Sequence, residues 1–200
     1  LLLQDASSKL GFSPKYTNSL AQQLKDGIGS LGALITYHRS DSNKMKQSEV
    51  DSLRQIIKKE IGVNFLSEEE IIYKEKAKFV QQGHEAVTPT QLHKKPEDVK
   101  KELDDDQFKL YDLIWKRTVA SQMSQSKNLE TSYFIKGEEF LLKSSGSIQI
   151  FEGFKKIYNY SEKTDTLQKL PNLKVGDIVK VSKIEIKPNH TKPPNRYSEA

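Results

Sequence analysis

The sequence predicts an α+β fold in which a mainly helical part precedes a β-rich part. Over residues 2–26, 50–61 and 104–124, apolar residues recur at helical spacing, and the runs are broken by glycine and proline. From about residue 126 the period changes, and short apolar and β-branched runs alternate with Gly137, Gly146, Gly153 and Gly176. Two hundred residues are enough for one large domain or two small ones with a real core. The division falls near residue 125, giving a helical unit over 1–125 and a β-rich unit over 126–200.

Residues 2–10 and 14–26 read as a helical pair, with Gly11-Phe12-Ser13 as the break. Pro14 suits the first turn of the second helix, and Gly27 or Gly29 its end. The run Gly32-Ala33-Leu34-Ile35-Thr36-Tyr37-His38-Arg39 reads as a buried strand that empties into the polar turn Ser40-Asp41-Ser42. Ser48 with Asp51 three residues on resembles a capping box. Val50, Leu53, Ile56, Ile57 and Ile61 follow at helical spacing up to Gly62. Residues 63–95 are irregular, with a short apolar patch at Ile71-Ile72-Tyr73.

Asp104-Asp105-Asp106 puts acid at the start of a helix that runs to about Ser124, where the macrodipole favours it. Phe108, Leu110, Tyr111, Leu113, Ile114, Trp115, Val119 and Met123 give that helix a broad apolar face. Four strands are then expected, over 131–135, 139–142, 147–151 and 178–182.

Composition excludes several classes. No window of 18 apolar residues spans a membrane, and no secretory leader is visible. Zero cysteines exclude disulfides and cysteine-ligated zinc, which fits a reducing cytosol. The four histidines never take the spacing of a helical metal site, so no metal is expected on this chain. The net charge of +5 lies mostly after residue 125, but many soluble domains are this basic, and it does not by itself indicate nucleic acid. The chain opens inside a predicted helix at Leu1-Leu2-Leu3 and stops at Ser198-Glu199-Ala200, where another helix begins. Both ends read as those of a fragment of a longer protein.

Tyr37 and Arg39 are the candidate site. On an extended backbone residues i and i+2 point the same way, so the two face one place. A phenol can attack phosphorus, and a guanidinium can hold a phosphate oxygen through its fork of donors. A tyrosine at a strand end can equally straddle core and water without any chemistry.

Leu34-Ile35-Thr36-Tyr37-His38-Arg39-Ser40-Asp41-Ser42 resembles the active-site signature of type IA DNA topoisomerases, roughly G-x-I-T-Y-x-R-T-D-S. Further blocks follow the family in order. Gln4 to Ser13 and Ala21-Gln22-Gln23-Leu24 resemble the preceding helices. His84-Glu85-Ala86-Val87-Thr88-Pro89-Thr90 is similar to H-E-A-x-R-P-T. Leu110 to Arg117 with Ala120-Ser121-Gln122-Met123 resembles the long-helix signature. Thr191-Lys192-Pro193-Pro194-Asn195-Arg196-Tyr197-Ser198-Glu199-Ala200 resembles a segment near the end of the family's gate. The Trp115 block is nearer the bacterial topoisomerase I branch than topoisomerase III, and His38 also occurs in reverse gyrases.

The resemblance implies a fold and a reaction. Residues 1–125 would be the tyrosine-bearing domain, related to winged-helix DNA-binding domains, and 126–200 part of a hinge that lets it swing. Tyr37 would attack a phosphodiester of single-stranded DNA and form a 5′-phosphotyrosine, so that strand passage relaxes negative supercoils. Arg39 would steady the scissile phosphate, His84 would hydrogen-bond a phosphate or orient the tyrosine, and Lys192 and Arg196 would touch the DNA backbone. Mg²⁺ would be bound by the family's Toprim domain, which this chain does not contain, so the fragment alone is expected to be inactive. The implied partner is DNA, preferentially single-stranded, with no membrane, a monomeric state and a cytoplasmic, nucleoid-associated location.

The ordinary structural readings stand beside these: a salt-bridged Arg39, a capping His84, a solvated loop at Lys192 and Arg196, turn residues at Asp41 and Ser42. Two departures from the pattern are Thr88, where the family has arginine, and Ser40, where it has threonine. The alternative function is a DNA-binding module that kept the fold and lost the chemistry. A purely structural α+β module is a third reading.

Overall fold

In the computed structural model, residues 1–73, 85–160, 170–194 and 196–197 are described. Five α-helices and one two-stranded antiparallel sheet make an α+β chain. The helical pair forms as the sequence predicts. α1 spans Leu2–Leu10, and α2 spans Pro14–Asp26, where the Ser13 side chain accepts from the Tyr16 amide and Pro14 occupies the first turn. α2 ends at Gly27, whose φ of 105° is closed to ordinary L-residues. A Cβ there would lie 2.9 Å from the Gly32 carbonyl carbon, so the glycine also lets two backbones meet.

α3 covers Gln47–Ile56 and continues as a wider turn over Ile57–Ile61. Its start differs from the sequence reading. Lys46 occupies the cap position, and its amide donates to the Glu49 carboxylate at 3.2 Å, while Ser48 lies inside the helix. The acid three residues from the cap decides the start, and that acid is Glu49 rather than Asp51. The short α4, Pro96–Val99, precedes α5, Asp105–Ala120. Asp104 caps α5 by accepting from the amides of Asp106 and Gln107. α5 stops at Ala120, short of Ser124. Residues 121–124 instead pair with 65–71: Ser124 N donates to Phe65 O, Ser67 N donates to Gln122 O, and the buried Gln122 amide bonds both backbone groups of Ile71.

The core lies between α1, α2, α3 and α5. Ala6, Leu20, Ala21, Leu24, Leu53, Ile57, Leu110, Tyr111, Leu113 and Val119 are buried in one cluster with Leu34 and Ile35. Of the expected broad face of α5, Leu110, Tyr111, Leu113, Ile114, Trp115 and Val119 are buried, together with Met123 just beyond the helix.

The β part is simpler than expected. β1 spans Lys127–Lys136 and β2 spans Leu141–Phe151, so the runs 139–142 and 147–151 belong to one strand. Gly146 does not break it, because it sits opposite Thr131 in the ladder, where no side chain is needed. Residues 178–182 form no strand. They carry no regular secondary structure and are exposed, with Ile178 and Val181 in solvent and no ladder among the described residues to pair with.

An isolated hairpin is marginal in water, and this one is anchored at its base. Phe151 stacks on Phe65 with centroids 5.1 Å apart, and Phe154 N donates to Ser124 O at 2.8 Å. Residues 153–160 thus return to the helices, where Phe154, Ile157, Tyr158 and Tyr160 pack against the core. No described helix is long and apolar enough to cross a membrane.

Candidate functional site

Tyr37 is placed by a chain of contacts that starts in the core. Trp115 on α5 donates its indole N–H to Leu92 O at 3.0 Å, and Tyr111 donates its hydroxyl to Lys94 O at 2.8 Å. These two bonds fix the loop 92–95 against the long helix. The preceding residues then run antiparallel to the Tyr37 segment. Ile35 bridges Pro89, Thr90 N donates to Leu34 O, and Thr36 N donates to Thr88 O. On its other side the segment is tied to α2, where Leu34 N donates to Leu24 O at 2.8 Å. The Thr36 hydroxyl donates to Ala86 O and accepts from Thr88 N, each at 3.0 Å. The pairing covers residues 34–36 rather than a long strand, and exposure alternates only from Tyr37 to Arg39.

That alternation sorts the site. Leu34 and Ile35 are buried, Tyr37 is 49% exposed, His38 is only 6% exposed, and Arg39 is exposed again. Tyr37 and Arg39 are therefore presented to solvent together, with His38 turned inward between them. The Arg39 guanidinium makes no hydrogen bond or ion pair among the described residues. An exposed guanidinium near a phenol, with no carboxylate on it among the described residues, is a local positive site for an anion.

The turn after Arg39 is built from its own side chains. The Ser40 hydroxyl donates to Glu85 O and accepts from Ser42 N, and the Ser42 hydroxyl accepts from Lys44 N. Ala86 N donates to Lys44 O, and Lys46 pairs with Glu85 at 2.9 Å. Segment 85–90 thus lies along the whole length of 34–46. Thr88, which departs from the family pattern, is 2% exposed and its hydroxyl oxygen has no partner among the described residues.

The other sequence candidates are not gathered here. His84 lies outside the described residues. Lys192 and Arg196 are exposed on a segment without regular secondary structure, and neither enters a described hydrogen bond or ion pair. Sequence reading passed over His38 as a functional group, and its only signal was a histidine between two exposed partners. Burial first, then the Arg39 charge, holds its imidazole below the usual range, and Asp26 pulls the other way. Among the described residues no three His, Asp or Glu side chains are grouped to hold a metal.

The DNA topoisomerase family profile matches residues 1–200. The chain belongs to this family. DNA topoisomerase 1 of Campylobacter jejuni is 39% identical over 203 residues, which cover all of this chain and 28% of that protein. DNA topoisomerase 1 of Rickettsia bellii is 39% identical over 208 residues, all of this chain and 26% of that protein. Full-length topoisomerase I of Thermotoga maritima matches in structure with a TM-score of 0.68 and 34% identity, over 79% of this chain and 26% of that one. The chain thus spans about a quarter of the topoisomerases it resembles. The signature blocks read from the sequence lie within this matched segment, and Tyr37 and Arg39 are exposed just beyond its paired residues 34–36.

Proposed function

We propose that this segment carries the nucleophile of a type IA topoisomerase. The observation that carries it is the exposed Tyr37 beside an Arg39 with no carboxylate partner among the described residues, on backbone paired from both sides. The Tyr37 oxygen attacks a phosphodiester phosphorus of single-stranded DNA. A tyrosine–phosphorus bond forms, the bond from phosphorus to the 3′-oxygen breaks, the phenol proton is lost and the 3′-oxygen leaves as a hydroxyl. The 5′ end stays on the protein.

A phenol suits a reversible link. Its unperturbed pKa of about 10 makes it a better leaving group than an alkyl alcohol, so the DNA hydroxyl can reverse the attack. Arg39 holds the phosphate oxygens and the charge that gathers on them. Neutralising one such charge is worth roughly 10²–10³ in rate by analogy with oxyanion donors. His84, Lys192 and Arg196 are proposed to reach the phosphate and the flanking backbone.

Among the described residues no three His, Asp or Glu side chains are grouped to hold Mg²⁺. We assign the ion to the part of a topoisomerase that this segment does not span, and with it the need of that part for activity. The helical part moves with its bound strand end while another strand passes, a gating motion. The partner is DNA, and a cytoplasmic location follows from the proposed reaction.

The test is adduct formation. This chain mixed with the rest of its protein, or the full-length protein, and an end-labelled single-stranded oligonucleotide should yield a covalent adduct that Tyr37→Phe abolishes. DNA binding without an adduct would instead favour a module that kept the fold and lost the chemistry. The buried Thr88 in place of the family arginine is the observation for that second reading.

A further inference from the structure

The reaction proposed above leaves one buried titratable group at the site without a task. His38 lies between Tyr37 and Arg39 in sequence but faces the opposite way. It is 6% exposed, and neither ring nitrogen has a hydrogen-bond partner among the described residues. Leaving two polar atoms buried and unpaired is costly, and folded proteins keep such atoms rarely. Its ring stands 5.7 Å from that of Tyr37, tilted by 54°. The charged groups that act on it are Asp26 and Lys25 on the last turn of α2 and Arg39 on its own segment.

Backbone pairing explains why the ring is held there. Leu34 is bonded to the end of α2 and Thr36 to Thr88, so the backbone leading into His38 is fixed and any rearrangement there falls on the side chain. As a neutral ring His38 sits buried where the charges of Asp26 and Lys25 at the end of α2 act on it. As an imidazolium it would carry a charge where no acceptor meets it, which a buried site does not tolerate. Asp26 is the carboxylate whose charge His38 senses. That carboxylate now accepts from the Gln22 amide at 2.7 Å and from Lys25 at 3.1 Å, both exposed contacts that exchange at little cost.

We propose that His38 is a positioning residue for Tyr37, a neutral wedge that sets where the phenol stands and that turns to Asp26 when it takes up a proton. The two rings lie 5.7 Å apart on consecutive residues, so a turn of the imidazole changes what the phenol stands against. The site is then acid-sensitive through an imidazole that never touches DNA. The inference rests on Tyr37 as nucleophile.

Two measurements test it. In the full-length protein, covalent adduct on a labelled single-stranded oligonucleotide is followed from about pH 5 to 8, at pH values where the circular dichroism stays constant. The adduct should fall at least about tenfold below the ordinary histidine value of about 6.5. His38→Gln, which bonds but does not titrate there, should flatten that fall to less than about threefold. Asp26→Asn, which removes the acceptor of the imidazolium, should move the fall to lower pH. An unchanged fall in His38→Gln overturns the proposal.

Nuclear magnetic resonance on this chain separates the two readings. As the His38 ring titrates below its ordinary value, the Tyr37 ring signals should shift with the same midpoint. Tyr37 signals that ignore the His38 titration overturn the proposal whatever the enzyme does. An adduct that is absent at every pH, with the coupled titration intact, sinks the nucleophile reading and leaves the wedge standing.

Discussion

Tyr158 donates its hydroxyl to the Asp5 carboxylate at 2.6 Å, joining residues 153 positions apart. The same carboxylate receives Lys9 at 3.1 Å and Arg117, and Arg117 also donates to the Tyr158 oxygen at 3.0 Å. Lys9 lies 4.1 Å from the centre of the Tyr158 ring. One tyrosine therefore ties the segment that returns from the hairpin to both α1 and α5. Tyr158→Phe keeps the ring and its cation contacts but removes the hydroxyl, and should cost about 1–2 kcal/mol in urea unfolding of this chain. Asp5→Ala strips the acceptor from three donors and should cost about 2–3 kcal/mol. Equal costs for the two variants would show that the hydroxyl, not the carboxylate, organises the cluster.

The same cluster sets an acid limb. Burial pushes the Asp5 carboxyl up, but hydrogen bonds from Tyr158 and Lys9 and the charges of Arg117 and Lys9 outweigh it and hold it below the ordinary 3.8. A carboxyl lowered by folding stabilises the fold above its unfolded value and loses that contribution as pH falls through its folded value. Unfolding midpoints measured from pH 5 downward should therefore drop below about pH 3.8, and the drop should be shallower in Tyr158→Phe. The check is the difference in slope between the two proteins, which a cluster without coupling would not show.

An alkaline limb comes from Tyr111. Burial first, then the Asp98 charge, pushes its phenol up to about 12. A tyrosine raised by folding contributes stability that is complete below its unfolded value of 10.0 and is lost as pH rises through its folded value. Tyr111→Phe should thus be less sensitive to pH between 10 and 12 than the parent chain. At neutral pH it should still cost about 1–2 kcal/mol, because the Lys94 carbonyl loses its donor. Ultraviolet titration of the phenols and thermal unfolding over the same range provide the two readouts.

Local chemistry explains what the sequence disclosed. Ser13-Pro14 and Asp104 announced helix starts because a cap needs only a side-chain oxygen and two nearby amides. Tyr37 and Arg39 are both exposed, as i and i+2 spacing would give, although the backbone bends at His38 and Arg39 rather than running as a strand. Ser48 misled because a capping box is decided by which acid reaches back, and Glu49 reaches Lys46 first. The merged strand β2 was hidden by Gly146, whose break or continuity depends on the residue opposite. The burial of His38 was illegible because it depends on tertiary contacts, among them the Leu34–Leu24 bond that brings its segment to the end of α2, more than ten residues away in sequence.

Arg39 should be separable from Tyr37 in the proposed reaction. With Tyr37→Phe the adduct vanishes, whereas Arg39→Ala should keep the nucleophile and lose roughly 10²–10³ in the rate of adduct formation. Arg39→Lys restores a charge but not the planar fork, and should recover only part of that loss. Rates measured at fixed salt by quenching an end-labelled oligonucleotide reaction give the comparison. Full activity in Arg39→Ala would remove Arg39 from the site.

Gly27 links the fold to the position of Tyr37, and a comparison with Gly29 isolates how. Both have positive φ, 105° and 52°. A Cβ on Gly29 meets nothing within 4 Å, so Gly29→Ala bears only the backbone cost of about 1–2 kcal/mol. A Cβ on Gly27 would sit 2.9 Å from the Gly32 carbonyl carbon and 3.2 Å from the Ala33 nitrogen. These are backbone atoms that cannot rotate away, so Gly27→Ala must push the 32–34 segment off the end of α2. The first casualty is the bond from Leu34 N to Leu24 O, which anchors the Tyr37 segment from one side. Gly27→Ala should therefore lose more stability than Gly29→Ala, about 3 kcal/mol or more. It should also raise hydrogen exchange at the Leu34 amide, which Gly29→Ala leaves protected. Equal protection of that amide in the two variants would mean that the close approach at Gly27 does not hold the Tyr37 segment in place.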